Sequence, residues 1–237
     1  MNMFSYYPVY LNLNGKRCLV FGGGQVAEDK VSKLQGTGAR ISIISPEVTP
    51  ALQARSQSGE LEWHAREYQP GDLEGAFLGI AATNLPQVNR RISQEAERLG
   101  VMLNVVDDPA QCTFIAPSIV QRGPVTLAIS TGGASPALAR KLREALSNDP
   151  ALEWADLAGV LSRARKQVKR KGQTVDPQRW QCCLTPELLN LVQSGREEEA
   201  LATLLADLLE PNSAGLCSQV DECSPSGCSS RTQGQEQ

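Results

Sequence analysis

The feature that most constrains this chain is a run of glycines at the first of several junctions between short β-rich stretches and stretches of helical period. The strand candidates are residues 17–21, 40–44, 61–64, 77–82 and 101–106, and the helix candidates between them lie at about 26–35, 49–57 and 86–99. Alternation of this kind predicts an α/β fold, a Rossmann-like doubly wound parallel sheet with helices on both faces. The 36–38 stretch, Gly-Thr-Gly, is a stop signal for the first helix.

At the first junction Gly22, Gly24 and Ala27 form the G-x-G-x-x-A version of the dinucleotide fingerprint, with Gly23, Gln25 and Val26 filling it. Glycines there permit a tight turn and let backbone N–H groups approach a pyrophosphate, which then sits at the positive end of a helix dipole. The alternative is a glycine-rich βα turn that binds nothing. The second strand ends in Ile43-Ile44-Ser45-Pro46-Glu47, without an acidic residue directly at the strand end. Glu47, or backbone at 45–47, is then left to meet the adenosine ribose. No arginine stands in this turn to receive a 2′-phosphate, which inclines the reading towards NAD rather than NADP.

Asp107 and Asp108 follow the fifth strand, at the edge where open α/β sheets bind ligands. A carboxylate there can accept a proton as hydride leaves a substrate. Either aspartate could instead simply start the turn at Pro109. Thr83 and Asn84 end the fourth strand on the same edge, with Asn89 shortly after; they are candidates for contacting a cofactor or for capping the next helix.

Beyond Pro109 residues 113–116, 118–122 and 125–130 read as strands and 136–146 as a helix. Successive strands break the βα alternation and could extend the sheet or pair with another subunit. Ser130, Thr131, Gly132 and Gly133 lead through Ser135, a candidate N-cap, into the helix that opens at Pro136; this backbone could cradle an anion or serve only as a capped helix start. From Asp149 the chain reads as helices, at 152–171 and in two short segments after Pro186, with leucines at helical spacing up to 209. Residues 211–237 are rich in Ser, Gly, Gln and Pro, a composition expected of disorder. The expected organisation is therefore a nucleotide-binding domain over 1–112, a strand-and-helix segment over 113–149, a helical C-terminal domain over 150–210 and a tail over 211–237.

Charge and composition exclude several classes. The formal net charge is −3, against the basic excess of a general nucleic-acid binder. That value conceals a segment, 161–171, that holds Arg163, Arg165, Lys166, Lys169, Arg170 and Lys171 and no acid, a face for solvent or for a polyanion. No apolar run is long enough to span a membrane and no secretory signal pattern opens the chain, so the cytoplasm is the expected compartment. Seven cysteines at irregular spacing fit free thiols better than a disulfide framework. The lone histidine, His64, shares the polar face of its strand, and no metal site is expected.

Taken together, Tyr7-Pro8-Val9-Tyr10-Leu11, the Gly22 to Ala27 turn with Lys30, Ala82-Thr83-Asn84 with Asn89, Asn104-Val-Val-Asp107, Phe114-Ile-Ala-Pro117 and the Ser130 to Pro136 turn leading to Leu142-Arg143 resemble the precorrin-2 dehydrogenase/sirohydrochlorin ferrochelatase family, which includes the N-terminal module of sirohaem synthase. The resemblance covers about Tyr7 to Leu146. It implies NAD as cofactor, precorrin-2 as substrate and sirohydrochlorin as product, a homodimer built through the segment after Pro109, and Asp107 as the principal catalytic residue. It also implies that Gln25, Val26, Pro46 and Glu47 hold the dinucleotide. A substrate rimmed with carboxylates gives Asn104, Arg122, Ser130, Thr131, Gly132, Gly133 and Arg140, and the basic helix, a reason to be where they are. Two departures stand against a full match. No methyltransferase module follows, and the region after Asp149 matches only loosely, which leaves insertion of Fe²⁺ as a substrate metal open. The rival functions are a non-catalytic NAD- or tetrapyrrole-sensing protein and a chelatase without redox activity.

Overall fold

The structure, a computed structural model, describes residues 6–209. Five parallel strands, β1 (Arg17–Phe21), β2 (Arg40–Ile44), β3 (Glu62–His64), β4 (Leu78–Ala81) and β5 (Met102–Val105), form one sheet in the order β3-β2-β1-β4-β5. The connecting helices are α1 (Gln25–Leu34), α2 (Pro50–Gln57) and α3 (Pro86–Leu99). Alternation along the strands decides which helix covers which face. Cys18 and Val20 turn towards Ala27 and Val31 of α1 and Leu52 of α2, while Leu19 and Phe21 turn towards Ile92 and Ala96 of α3. From β1 the chain first builds outward through β2 and β3, then returns to add β4 and β5 on the other side. The strand order therefore reverses at β1, and the carboxyl ends of β1 and β4 border the crevice such a reversal opens.

The expected strand at 113–116 does not form. Thr113 N–H donates to the Leu103 carbonyl at 2.8 Å, but Leu103 N–H donates to the Thr113 hydroxyl at 2.7 Å, and the Asn104 amide donates to the Phe114 carbonyl at 3.1 Å. Side chains take the places that backbone groups would hold in a ladder, so this segment closes the outer edge of β5 without regular pairing.

The sheet belongs to one compact unit, which takes in the chain up to Pro117 together with Ser130–Pro136; the second takes in Ser118–Ile129 and the chain from Ala137 onward. In the second unit β6 (Ser118–Arg122) and β7 (Val125–Ile129) pair as an antiparallel hairpin. The two-residue turn begins with Gly123 at φ +54°. Helices α4 (Pro136–Ser147), α5 (Ala158–Arg170), α6 (Pro177–Cys182), α7 (Pro186–Gln193) and α8 (Glu197–Leu209) follow. The single helix expected at 152–171 is divided: a 3₁₀ stretch, Pro150–Leu157, precedes α5. The Asp149 carboxylate accepts the Ala151 N–H at 2.8 Å and Pro150 opens the turn, which starts the helical run before the expected point. The same pairing of a cap with a following proline, Asp176-Pro177, starts α6, which the apolar pattern does not announce. Thr185-Pro186 starts α7 in the same way.

The helical core joins Leu157, Val160 and Ala164 to Leu188 of α7 and to Leu201, Leu204 and Leu208 of α8. The leucine spacing read from the sequence marks this buried stripe. Among the described residues no helix is long and apolar enough to cross a membrane. The expected tail, with Cys217, Cys223 and Cys228, lies outside the described residues.

Leu204 has no exposed surface. Leu204→Ala is expected to lower the unfolding free energy of the helical unit by about 2–5 kcal/mol in urea denaturation followed by far-ultraviolet circular dichroism.

Candidate functional site

The turn after β1 is shaped by what its glycines lack. Gly22 sits at φ +107°, a conformation L side chains rarely adopt, and a β-carbon there would fall 2.4 Å from the Ala82 carbonyl oxygen. A β-carbon on Gly23 would fall 1.9 Å from the carbonyl oxygen of Glu47. Gly22 N–H donates to the Ile44 carbonyl at 3.0 Å, and Thr49 N–H donates to the Gly23 carbonyl at 2.9 Å. The ends of β1, β2 and β4 are thereby drawn together at backbone distance. Gly24 differs: it occupies the N-cap of α1 with nothing within 4 Å of an added β-carbon.

A cleft of about 670 Å³ opens on this edge, within the size range of small-ligand sites. It gathers Gly22, Gly23, Gly24, Gln25, Val26, Pro46, Glu47, Thr83 and Asn84, all nine of the residues read from the sequence as cofactor contacts. The start of α1 faces it, so unpaired N–H groups and the positive helix end meet any phosphate bound there. Thr83 is fixed by donating its hydroxyl proton to the Asn89 side-chain oxygen at 2.6 Å, while the Asn89 amide donates to the Thr83 carbonyl at 3.1 Å. Asn89, at 8% exposure, thus serves the loop that shapes the cleft.

The sequence reading missed Glu67, Tyr68, Val88 and Arg91, which line the same cleft. Tyr68 donates its phenol proton to Glu95 at 2.6 Å, and burial followed by this hydrogen bond pushes the phenol pKa above its usual value. The one hint in the sequence is Glu95 itself, a carboxylate beside Ile92 and Ala96 on the apolar stripe of α3, where it is 6% exposed.

Asp107 lies past the carboxyl end of β5, beside β4, whose Ala81 carbonyl accepts the Val106 N–H at 2.9 Å. It is exposed and does not line the cleft, although it shares the sheet edge with Thr83 and Asn84. Among the described residues it is the one non-glycine with positive φ, at +60°. Such a conformation costs an L-residue of order 1–2 kcal/mol and is borne best by Asp and Asn. Asp108 has the structural part: it begins the Pro109–Gln111 turn and its carboxylate accepts from the Gln111 amide.

The residues expected to meet a substrate are divided between the two units. Asn104, 9% exposed, spends its amide on the Phe114 carbonyl. Ser130, Thr131, Gly132 and Gly133 form a turn held by its own hydroxyls. The Ser130 hydroxyl accepts the Gly132 N–H at 3.1 Å, and the Thr131 hydroxyl accepts the Ser135 N–H at 3.1 Å. Arg122 and Arg140 belong to the second unit. Arg122 donates twice to Asp156, at 2.7 and 2.6 Å, and holds that carboxyl below the usual carboxylate range. Arg140 pairs with Glu144 one helical turn on. Among the described residues no group of three or more His, Cys, Asp or Glu is arranged to hold a metal.

A family model for NAD(P)-binding matches residues 9–118, and one for the central part of sirohaem biosynthesis proteins matches residues 122–148. The siroheme synthase of Photorhabdus laumondii is 38% identical over 197 residues, 82% of this chain and 42% of that protein. That of Methylobacillus flagellatus is 39% identical over 195 residues, 81% of this chain and 42% of that protein. This chain therefore spans less than half the length of these relatives. Among solved structures, SirC, a precorrin-2 dehydrogenase, superposes with a TM-score of 0.68 at 26% identity, covering 84% of this chain and 98% of that one.

The glycine contacts separate packing from binding. Gly23→Ala is expected to lower the melting temperature sharply, because backbone must move to admit the methyl group. Gly24→Ala is expected to change stability by no more than about 0.5 kcal/mol while weakening NAD⁺ binding about tenfold or more in titration calorimetry, the equivalent of about 1.4 kcal/mol.

Proposed function

Because this chain belongs to the sirohaem synthase family, we propose that it oxidises precorrin-2 to sirohydrochlorin with NAD⁺ as the acceptor, as a cytoplasmic homodimer. The observation that carries this reading is the coincidence of a dinucleotide-shaped edge with a carboxylate at the end of β5, in a chain that aligns with nearly the whole of a precorrin-2 dehydrogenase. NAD⁺, when bound, supplies the hydride acceptor. The residues fit it: Gly24 leaves the N-terminus of α1 open to a pyrophosphate, and Pro46 and Glu47 stand where the adenosine ribose belongs.

In balance, precorrin-2 and NAD⁺ give sirohydrochlorin, NADH and a proton. Asp107 takes that proton at its carboxylate as hydride departs, which is why an exposed acid in a costly backbone conformation stands beyond β5. Fixing substrate against cofactor supplies much of the acceleration, since well-oriented reactants save roughly 7–11 kcal/mol of barrier. The 130–133 turn belongs to the same unit as the cleft and offers glycine backbone to a substrate carboxylate. Arg122 and Arg140 act on the substrate rim only by exchanging their present carboxylate partners for it. For the dimer, support comes from apolar side chains left exposed in the second unit, among them Ile119 at 46% and, on α4, Leu138 at 51% and Leu142 at 41%.

The assay is anaerobic incubation of the protein with freshly generated precorrin-2 and NAD⁺, following NADH and the sirohydrochlorin spectrum, with a second arm that adds Fe²⁺ to sirohydrochlorin. Absence of NADH formation alongside measurable NAD⁺ binding sinks the dehydrogenase and favours a sensor. Asp107→Asn keeps a side chain suited to positive φ, so turnover is expected to fall at least 100-fold with NAD⁺ affinity and melting temperature unchanged. Ile119→Glu combined with Leu142→Glu is expected to halve the mass measured by light scattering.

A further inference from the structure

Three features at and behind the part of the cleft lined by Tyr68 and Arg91 are left over once the turn, the ribose edge and Asp107 have been given work. The first is a buried carboxylate. Glu95 accepts the Tyr68 phenol on one oxygen at 2.6 Å and the Gly71 N–H on the other at 2.7 Å, with the Arg98 guanidinium only at 4.0 Å. Burying a carboxylate is costly, and here both oxygens are committed to holding the chain that carries Tyr68. The second is the phenol ring, set edge-to-face against Phe21 with centroids 5.6 Å apart and planes at 81°. With hydroxyl and ring edge both fixed, Tyr68 has one orientation. The third is Arg91, one helical turn before Glu95, whose guanidinium lies 5.4 Å from the centre of that ring. Among the described residues no carboxylate oxygen lies within 4.0 Å of the Arg91 guanidinium, in contrast to Arg66, Arg122, Arg163 and Arg196, which all have one. Arg91 and Tyr68 both line the cleft.

Strand order tells which half of a dinucleotide meets this part of the cleft. Asp107 follows β5, at one side of the sheet, so the reacting ring belongs between β4 and β5. Tyr68 follows β3, at the other side. Pro46 and Glu47, which follow β2, lie in the same cleft between these limits.

We propose that Arg91, laid over Tyr68, is an adenine-recognition residue, its guanidinium plane packing against the purine and the Glu95–Tyr68 hydrogen bond holding the platform in place. This rests on NAD binding as proposed above and adds the residues that select the adenosine half. A guanidinium stacks on flat conjugated rings in a way that an ammonium does not. Glu95 touches no ligand and is a positioning residue.

The test is titration calorimetry of the full chain with NAD⁺, ADP-ribose and AMP, and with nicotinamide mononucleotide as the fragment that lacks adenine. Arg91→Ala is expected to weaken the three adenine-bearing ligands about tenfold and to leave nicotinamide mononucleotide unchanged. Arg91→Lys, which keeps the charge, is expected to recover less than half of that loss on a logarithmic scale. Tyr68→Phe keeps the ring but releases its anchor and is expected to fall between wild type and Arg91→Ala for ADP-ribose. Arg91 is exposed, so circular dichroism of the alanine variant should match wild type. If wild type binds NAD⁺ and Arg91→Ala binds ADP-ribose within twofold of it, the adenine role is wrong while the dehydrogenase reading stands. If wild type binds no NAD⁺, both fall.

Discussion

Three strand ends can meet at this edge because two β-carbons are missing. The Gly22 α-carbon lies against the backbone after β4 and the Gly23 α-carbon lies against the backbone after β2, at separations that exclude even a methyl group. The hydrogen bonds from Gly22 to Ile44 and from Thr49 to Gly23 then lock the turn to β2. Everything the cleft does follows from that closeness. It sets the start of α1 over the edge, brings Pro46 and Glu47 within the same cleft as Thr83 and Asn84, and leaves Gly24 as the position facing open space.

What the sequence made legible was local. Short β-rich runs set between stretches of helical period marked all five strands of the sheet, because parallel strands joined by helices are written in that order along the chain. The glycine turn was legible because its chemistry is contained in six consecutive residues. The residues that were not legible depend on distant parts of the chain. Tyr68 enters the cleft only because Glu95, 27 positions later, holds its hydroxyl. Arg122 loses its apparent freedom to Asp156, 34 positions on. Thr113 reads as a strand residue, yet its hydroxyl competes with the ladder it was expected to join. The start of α6 was within reach, since Asp176-Pro177 repeats the signature of Thr49-Pro50 and Thr185-Pro186, but a helix of six residues is too short to show a period.

Asp107 shows the limit in another form. Its place at the end of a strand was readable from residue types, whereas its backbone conformation was not, because positive φ in a non-glycine arises from how β5 leaves the sheet. Asp108, its neighbour with the same side chain, is absorbed into the following turn. Two adjacent carboxylates are thus set apart by backbone geometry, one spent on a turn and the other exposed.

The contrast among the three glycines bears on how descent would write itself into this turn. Alteration of Gly22 or Gly23 breaks the sheet edge in any descendant, whatever that descendant binds. Gly24 meets nothing in the protein that a methyl group would disturb. A lineage that gave up its cofactor would therefore be expected to keep the first two glycines and let the third drift, so a preserved pair testifies to architecture and only the third codon keeps a record of use.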